Sequence, residues 1–320
     1  MLPVLLAVAW FGYYAYHQLP LPATPFEFEL KQGGNLKGMT HELRQAGLID
    51  QEWAFVWFAR LLGKSGHIQA GYYVLDHPVS PMKLLDMLNK GAVIQRKFSV
   101  IEGWTFRQFR DALNANPDLK HVTVSMTDAG ILRQIGAAEQ QPEGLFFPDT
   151  YHFAAGTRDI VIIKRAYQTM QQRLQSAWAG RDASLPLQTP YDALILASIV
   201  EKETGIPGDR PMIAGVFVNR LRKGMMLQTD PAVIYGLGDK FDGNLRKRDL
   251  VSDTAYNTYT RRGLTPTPIA LPGMAAIQAT LHPAQTDALY FVSRGDGSSQ
   301  FSSSLKQHNQ AVSQYQLKKK

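Results

Sequence analysis

The sequence predicts a mixed α+β protein with a small N-terminal module and a larger, mainly helical domain. A short strand, a turn and a helix recur in the first third of the chain, and longer buried or amphipathic helices follow. The chain has 320 residues, of which 45% are hydrophobic, so it can build one large or two ordinary domains with real cores. We place the module at residues 25–96 and the larger domain at residues 97–320.

An apolar segment precedes the module. The first 26 residues contain no Asp, Glu, Lys or Arg, and Leu2–Tyr16 is almost wholly apolar and aromatic. We expect residues 1–24 to be an uncleaved membrane anchor with a stiff, proline-spaced linker, although a span needs about 20 apolar residues and must then include Leu19 and Leu21. A cleaved signal peptide is the alternative, but no basic n-region or small-residue cleavage site accompanies it. Because no basic residue precedes this segment, the positive-inside rule does not predict its orientation in the membrane.

The recurring unit explains the prediction for the module. Each copy has a strand-like run followed by a helix, and the three strand-like runs are Phe26–Leu30, Gly71–Leu75 and Arg96–Ile101. Ser80 and Thr105 are the expected N-caps of the second and third helices, and Gly33, Gly34, Asn35 and Gly91 are the expected turn residues. We expect the aromatic helix Trp53–Leu62 to lie mostly in the core. Residues 25–96 resemble a carbohydrate-binding LysM module, with a ligand-free packing domain as the alternative.

Composition excludes several classes of function. There is no Cys, so disulfides, thiolate metal sites and thiol catalysis are excluded. The eight His residues show no HExxH spacing and no glycine-rich phosphate loop opens a helix, so no metal or nucleotide cofactor is indicated. The net charge of +7 comes partly from the short basic runs at 220–223, 246–248 and 318–320. We interpret these runs as solvated surface and expect no nucleic-acid partner.

The larger domain contains one helix that carries two carboxylates. Residues 158–178 and Ile213–Arg222 are predicted as helices, and between them Tyr191–Glu203 is a buried helix that turns polar at its C-terminal end. The following residues are rich in Gly, Pro, Thr, Asn and Tyr, which is typical of loops that form a site on a scaffold. A strand at Ala288–Val292 and a terminal helix end the domain.

Glu201 and Glu203 cannot act as a dyad. Two residues apart on a helix, their side chains diverge by roughly 200°. Glu203 follows Ile199 and Val200 near the negative end of the helix dipole, and both influences favour the protonated carboxyl that a general acid needs. Glu201 lies on a more polar face, where an ion pair with Lys or Arg from another helix is the natural role. We favour Glu203 as the acid and keep Glu201 as second choice.

Motifs along most of the chain closely resemble the MltG/YceG family of endolytic murein transglycosylases. They occur in the same order, and their ranges are 143–151, 197–204, 217–221, 227–231, 233–236, 255–259, 271–273 and 282–284. The resemblance implies that Glu203, followed by Thr204, is the catalytic acid of a lysozyme-like α+β domain. It also implies a glycan-strand substrate, no cofactor, and a 1,6-anhydro-N-acetylmuramic acid product formed when the C6 hydroxyl attacks.

The loops supply candidate substrate-binding residues. Their hydroxyl, amide and aromatic groups suit sugar hydroxyls, acetamides and rings, although turn or core roles are as natural for each one singly. The candidates are Gln228, Thr229, Asp230, Tyr235, Tyr256, Asn257 and Tyr259. Asp230 before Pro231 and Asp149 after Pro148 are interpreted as cap or turn residues rather than nucleophiles.

Two competing functions stay open at this point. One is a lysozyme-type hydrolase that uses Glu203 as acid and Asp230 as nucleophile or base, and the other is a non-catalytic, membrane-tethered glycan-binding scaffold. The family resemblance further implies a single-pass location in the bacterial inner membrane, with the catalytic part on the periplasmic side. It suggests peptidoglycan synthases of the penicillin-binding class as partners.

Overall fold

The chain forms two compact units of mixed α+β structure. The computed structural model describes residues 2–22, 24, 26–30, 36–66, 68–69, 71–90, 95–154 and 156–317. The first unit comprises residues 1–98, 116–121 and 151–159, and the second comprises 99–115, 122–150 and 160–320. The module boundary expected after residue 96 lies close to the end of the first of these segments, whereas the two later segments of the first unit were not foreseen.

The first unit is built from short helices and paired strands. Its helices are α1 (Leu2–Tyr16), α2 (Leu36–Gln45), α3 (Glu52–Leu61) and α4 (Pro81–Lys90). Its strands are β1 (Phe26–Leu30), β2 (Gly71–Leu75), β3 (Gln95–Ser99) and β4 (Thr150–Ala154), with Ser99 and Thr150 counted in the second unit. β1 and β2 are antiparallel, with Phe26 opposite Leu75 and Leu30 opposite Gly71, and β3 pairs with β4.

The predicted strand and helix copies are confirmed in the described residues. Ser80 caps α4 by accepting a hydrogen bond from the Lys83 N–H at 3.2 Å. Thr105 caps the helix that follows β3, and Oε1 of Gln108 accepts a hydrogen bond from the Thr105 N–H at 2.9 Å, which completes a capping box. The turns expected at Gly33, Gly34, Asn35 and Gly91 lie outside the described residues.

Leucine and aromatic side chains make up most of the core of the first unit. Phe28 of β1 stacks on Tyr73 of β2 with 5.3 Å between ring centroids, and α1 contributes buried Ala15 to the same core. The expectation that the aromatic helix is mostly core is only partly right. Phe55 and Phe58 are buried, but Trp53 and Trp57 are 57% and 58% exposed, since they lie on the opposite face of α3.

The N-terminal helix packs on this unit. Trp10 stacks on Trp53 with 5.4 Å between centroids, and the Leu19 N–H donates to the Val79 carbonyl at 2.9 Å. Helix α1 has 15 residues. In the part of the chain that the structure describes, no helix combines the length and apolarity required to cross a membrane.

The second unit is mainly helical. Its helices are α5 (Phe106–Asn114), α6 (Asp128–Ile135), α7 (Asp159–Ala179, whose first residue belongs to the first unit), α8 (Pro190–Glu203), α9 (Arg210–Arg222), α10 (Asp230–Leu237), α11 (Lys247–Val251), α12 (Met274–Leu281) and α13 (Leu305–Val312). β5 (Tyr290–Ser293) and β6 (Ser299–Ser302) form an antiparallel hairpin. α8 packs against both α9 and α12, and this places its C-terminal end among the loops between them.

Helix α8 is the predicted buried helix. Thr189 accepts from the Asp192 N–H at 3.1 Å, Asp192 accepts from the Thr189 N–H at 3.0 Å, and Pro190 occupies the first turn. The run 193–200 is buried throughout, so apolar contact on all sides holds the helix axis in place. A firm helix start and a buried middle fix the position of the two glutamates at its end.

Candidate active site

Glu203 is the last residue of α8 and is partly exposed. The pKa of its carboxyl is raised to about 7, mainly by burial and in addition by the nearby charge of Asp230. The Thr229 hydroxyl and the Arg220 guanidinium act in the opposite direction and lower the pKa, because both stabilise the carboxylate. A carboxyl that titrates near neutral pH can both donate and accept a proton under physiological conditions.

Glu201 is held by structural contacts. Its Oε1 lies 3.3 Å from Nη2 of Arg210 on α9, and its Oε2 accepts from the Gly273 N–H at 2.9 Å. This confirms the ion pair with another helix expected for Glu201. Burial raises the pKa of Glu201, while the Gly273 N–H and Arg210 lower it. Both oxygens of Glu201 therefore already have partners within the protein.

Arg220 is the main residue that sequence interpretation missed. It was placed in a solvated basic run, but it is only 7% exposed, while Arg222 and Lys223 of the same run are exposed as expected. Arg220 is buried because it lies one helical turn after the buried Phe217 on α9. That spacing was the signal available in the sequence. Of the other runs, 247–248 is exposed and 318–320 lies outside the described residues.

Neutral groups surround the Arg220 guanidinium. Nε donates to the Leu289 carbonyl at 2.6 Å, and Nη1 donates to the carbonyls of Met226 and Leu227 at 3.1 and 2.9 Å and to Oε1 of Gln228 at 3.1 Å. Burial lowers the pKa of Arg220, and the Glu203 carboxylate raises it. A buried cation with these partners organises the loop that leads into α10 and supplies positive potential beside Glu203.

The loop before α10 brings four of the predicted residues together. The Gln228 N–H donates to the Thr258 carbonyl at 3.1 Å, and the Thr229 N–H donates to the Thr258 hydroxyl at 2.9 Å. Tyr259 donates to Asp230 Oδ1 at 2.6 Å. Gln228 has φ of +53°, a left-handed conformation that costs a side-chain-bearing residue energy. Gln228, Thr229, Asp230 and Tyr259 thus form one hydrogen-bonded group close to Glu203.

Tyr235 and Tyr256 form a second group, centred on Glu143. Their rings meet edge to face with 5.0 Å between centroids, and the Tyr235 hydroxyl donates to Glu143 Oε2 at 3.2 Å. Gly236 permits this arrangement, because a Cβ at that position would lie 2.9 Å from the Tyr256 Cβ. Glu143 was part of a family motif but was not predicted as a site residue. Its position beside a buried apolar run was the available signal.

Asn257 and Asp149 have local structural roles. Asn257 is fully buried, and its side-chain amide donates to the carbonyls of Asp249, Leu250 and Ser252 at 3.2, 3.1 and 2.6 Å. Its amide donors are therefore directed to the loop that contains α11. Asp149 is exposed and accepts from the Thr150 N–H at 2.7 Å, as expected of a turn residue.

Helix α9 is fastened to the segment before β5. The Asn219 side chain donates to the carbonyls of Thr286 and Ala288 at 2.8 and 3.1 Å. Gly215 allows close approach, since a Cβ there would lie 2.7 Å from the Ala284 carbonyl oxygen and 2.9 Å from Thr286 Cγ2. These contacts set the position of α9 and therefore of Arg220 beside the candidate acid.

The fold and the site define a class of protein: an α+β chain in which one buried helix ends in an acid surrounded by hydroxyl- and amide-bearing loops. Residues 28–314 match the family described as YceG-like. The chain belongs to the YceG-like family, and the resemblance found in its motifs is confirmed.

Relatives of known name cover most of the chain. A protein of Bacillus subtilis (strain 168) named endolytic murein transglycosylase is 31% identical over 309 residues, which are 91% of this chain and 85% of the relative. A protein of the same name from Streptococcus pneumoniae serotype 2 (strain D39 / NCTC 7466) is 29% identical, and the match covers 95% of this chain but 62% of that relative. The pneumococcal protein is therefore considerably longer than the part that is matched.

A solved structure shares the fold. The 2.6 Å crystal structure of a putative yceG-like protein from Listeria monocytogenes superposes with a TM-score of 0.58 at 27% identity. The match covers 89% of this chain and 97% of the Listeria chain.

Proposed function

We propose that this protein is an endolytic peptidoglycan lytic transglycosylase, a lyase that cuts glycan strands between N-acetylmuramic acid and N-acetylglucosamine, with Glu203 as its acid and base. Support for the activity comes from family membership and from the names of the relatives. The observation that carries the residue assignment is the contrast between the two glutamates of α8. Glu201 has both oxygens bonded, whereas Glu203 is partly exposed and has a pKa of about 7.

The chemistry needs one carboxyl group. Protonated Glu203 donates its proton to the glycosidic oxygen as positive charge develops at C1 of the muramic acid residue. The resulting carboxylate takes the proton of the C6 hydroxyl of the same sugar, whose oxygen bonds to C1 and forms the 1,6-anhydro ring. Because the attacking hydroxyl belongs to the substrate, no second carboxylate is required to activate water.

The neighbours of Glu203 suit both halves of this cycle. Asp230 raises the pKa of Glu203 and favours the acid form before proton transfer, whereas Arg220 and Thr229 stabilise the carboxylate that remains afterwards. Gln228 and Tyr259 stand in the same group and are proposed to bind sugar hydroxyls or acetamides. Tyr235 and Tyr256 are proposed to bind the strand at a separate point.

Two variants test the assignment. Glu203→Gln keeps the shape of the side chain and removes its proton, so cleavage of purified glycan strands is expected to fall by at least about a thousandfold. Glu201→Gln weakens the Arg210 ion pair, and we expect lower stability with cleavage largely retained in the folded fraction. Equal cleavage by Glu203→Gln and the parent would show that Glu203 is not the catalyst, and full loss only in folded Glu201→Gln would reverse the assignment.

Product analysis separates the lyase from a lysozyme-type hydrolase. Digestion in isotope-labelled water followed by mass spectrometry is expected to give anhydro ends without label. Labelled reducing ends would support hydrolysis with Asp230 as the second carboxylate. If neither the parent protein nor any variant cleaves glycan strands, a non-catalytic glycan-binding scaffold becomes the preferred function.

Membrane attachment, the glycan-binding module and the synthase partner are part of the same proposal. Trp10 of the apolar α1 stacks on Trp53, and the indoles of Trp53 and Trp57 are exposed; such aromatic side chains favour the membrane interface. The order β1, α2, α3, β2 supports a LysM-like module. Cell fractionation of the full chain, with and without residues 1–24, tests inner-membrane location, and co-purification with penicillin-binding synthases tests the partner.

A further inference from the structure

A pocket of about 300 Å³ lies in the second unit, lined in part by Phe106, Glu143, Tyr235 and Tyr256. Glu203 is not one of its lining residues. The pocket therefore offers a binding surface distinct from the candidate acid, although α10 connects the two places by carrying Asp230 at its start and Tyr235 near its end. A volume of this size is at the lower limit for small-ligand pockets and suits one compact ring with its substituents.

Glu143 is the central polar group of the pocket. It is 6% exposed and accepts hydrogen bonds from the Phe106 N–H at 2.9 Å and the Tyr235 hydroxyl at 3.2 Å. Glu143 forms no ion pair with a cation in the described part of the chain, and burial is the main cause that raises its pKa to about 7. Burial of a carboxyl without a cationic partner is costly, and such groups occur preferentially where a ligand uses them.

The charges around the pocket disfavour an anionic ligand. Arg107 is paired with Asp239, and Arg110 lies 2.6 Å from Asp128. Arg110 also donates to the carbonyls of Thr123 and Met126 at 3.3 and 3.0 Å, so its guanidinium is largely committed to the protein. With both arginines compensated and a further carboxyl present, no surplus positive charge is available for the carboxylates of a stem peptide.

The aromatic groups indicate which neutral ligand fits. The Tyr256 hydroxyl is 2.9 Å from Oγ1 of Thr267, and Phe106 stacks on Phe146 with 5.0 Å between centroids. The pocket therefore has rigid aromatic walls and a few directed polar groups. A pyranose ring presents an apolar face of C–H groups and an edge of hydroxyls, which is the complementary pattern.

We propose that the pocket formed by Glu143, Tyr235 and Tyr256 binds one uncharged N-acetylglucosamine-type sugar of the glycan strand. This inference rests on the proposed function and names the sugar that the protein recognises away from the scissile bond. Glu143 is a binding residue in this role and takes no part in proton transfer at the cleaved bond. The lactyl and peptide substituents of muramic acid carry charge and bulk that this pocket does not accommodate.

Calorimetric titration with chitotriose, a neutral trimer of N-acetylglucosamine, tests the pocket. All proteins carry Glu203→Gln so that cleavage does not interfere. Adding Glu143→Gln or Tyr235→Phe is expected to raise the Kd by about tenfold, the effect of one lost directed hydrogen bond. Glu139→Gln is the matched control, because Glu139 accepts from Tyr167 and Gln171 outside this pocket and its replacement is expected to leave the Kd unchanged.

The outcomes distinguish this inference from the proposed function. An unchanged Kd in folded Glu143→Gln and Tyr235→Phe proteins, or no chitotriose binding by the Glu203→Gln protein, overturns the sugar pocket. Competition by a free stem peptide that Glu143→Gln abolishes would overturn it in favour of a peptide site. The cleavage activity of the parent is measured separately, so failure of the catalytic proposal leaves the titration interpretable.

Discussion

Nη1 of Arg220 lies 3.1 Å from the side-chain oxygen of Gln228, and this contact joins a buried guanidinium to a residue in the left-handed region of backbone conformation. The same nitrogen holds the carbonyls of the two preceding residues. The loop that leads to Asp230 is thus shaped from inside by one side chain of α9. Its geometry, and with it the surroundings of Glu203, depends on a side chain that is almost fully buried.

Removal of the guanidinium is expected to destabilise the second unit. Arg220→Met leaves three carbonyls and one amide oxygen without their donor, so the free energy of unfolding should fall by about 3 kcal/mol or more. Urea denaturation measures the change. Arg262→Met is the control, since Arg262 is exposed and its guanidinium donates to the Gly224 carbonyl, so its loss should lower the free energy of unfolding by no more than about 0.5 kcal/mol. Equal losses would contradict the role of Arg220.

Comparison of two substitutions at Gln228 isolates its backbone strain. Gln228→Ala and Gln228→Gly both remove the bond to Arg220, but only Gly adopts a φ of +53° without steric cost. We expect Gln228→Gly to be more stable than Gln228→Ala by about 1 kcal/mol, measured by thermal or urea unfolding. The opposite order would show that the left-handed conformation is not kept in solution.

Activity should decrease as the pH rises through neutrality. The acid form of Glu203 starts the reaction, and its pKa is about 7, so kcat/KM is expected to fall tenfold per pH unit above that value. Asp230→Asn removes the negative charge that raises this pKa, and the falling limb should move to lower pH. A profile that stays flat into alkaline solution, or moves upward in Asp230→Asn, would contradict the assignment.

Ionisation of Glu203 should also lower the free energy of unfolding as the pH rises. The Glu203 pKa rises from 4.5 to about 7 on folding, so the folded chain binds more protons between these values and this contribution to stability is lost as the pH rises through the window. Glu203→Gln removes the cost of the buried charge. The difference in unfolding free energy between the variant and the parent should therefore change in favour of the variant from pH 4 to pH 8, by up to about 3 kcal/mol.

A substitution at Gly236 tests the packing of Tyr235 against Tyr256. Gly236→Ala places a Cβ against Tyr256, so we expect a loss of about 1–3 kcal/mol in unfolding free energy and weaker chitotriose binding as Tyr256 shifts. Gly208→Ala is the control, because a Cβ at that exposed position meets no atom within 4 Å. If both variants bind and unfold alike, the tight packing of Tyr256 does not matter for the pocket.

Local sequence signals predicted the elements well because local interactions form them. The caps at Ser80 and Thr105 and the buried α8 follow from short-range hydrogen bonds and periodicity. Helix phase also separated Glu201 from Glu203 and gave the ion pair of Glu201. These features involve residues close in the chain, or one stripe of a helix.

Long-range relationships were not accessible in the same way. Glu143 meets Tyr235 across 92 positions of sequence, and no local pattern predicts which loop reaches a buried carboxyl. Arg220 was missed because charge was given more weight than its place on the apolar face of α9. Asn257 fits the expected motif, yet only the fold shows that its amide is used by neighbouring carbonyls.

The close approach at Gly215 has an evolutionary consequence. α9 joins the segment 284–289 through Gly215, Asn219 and Arg220, and Arg220 in turn joins the loop 226–228. Three stretches that look like independent motifs in the sequence are therefore one set of contacts. Substitutions in these three stretches should co-vary among relatives. A relative with a larger residue at position 215 should also differ in the 284–289 segment.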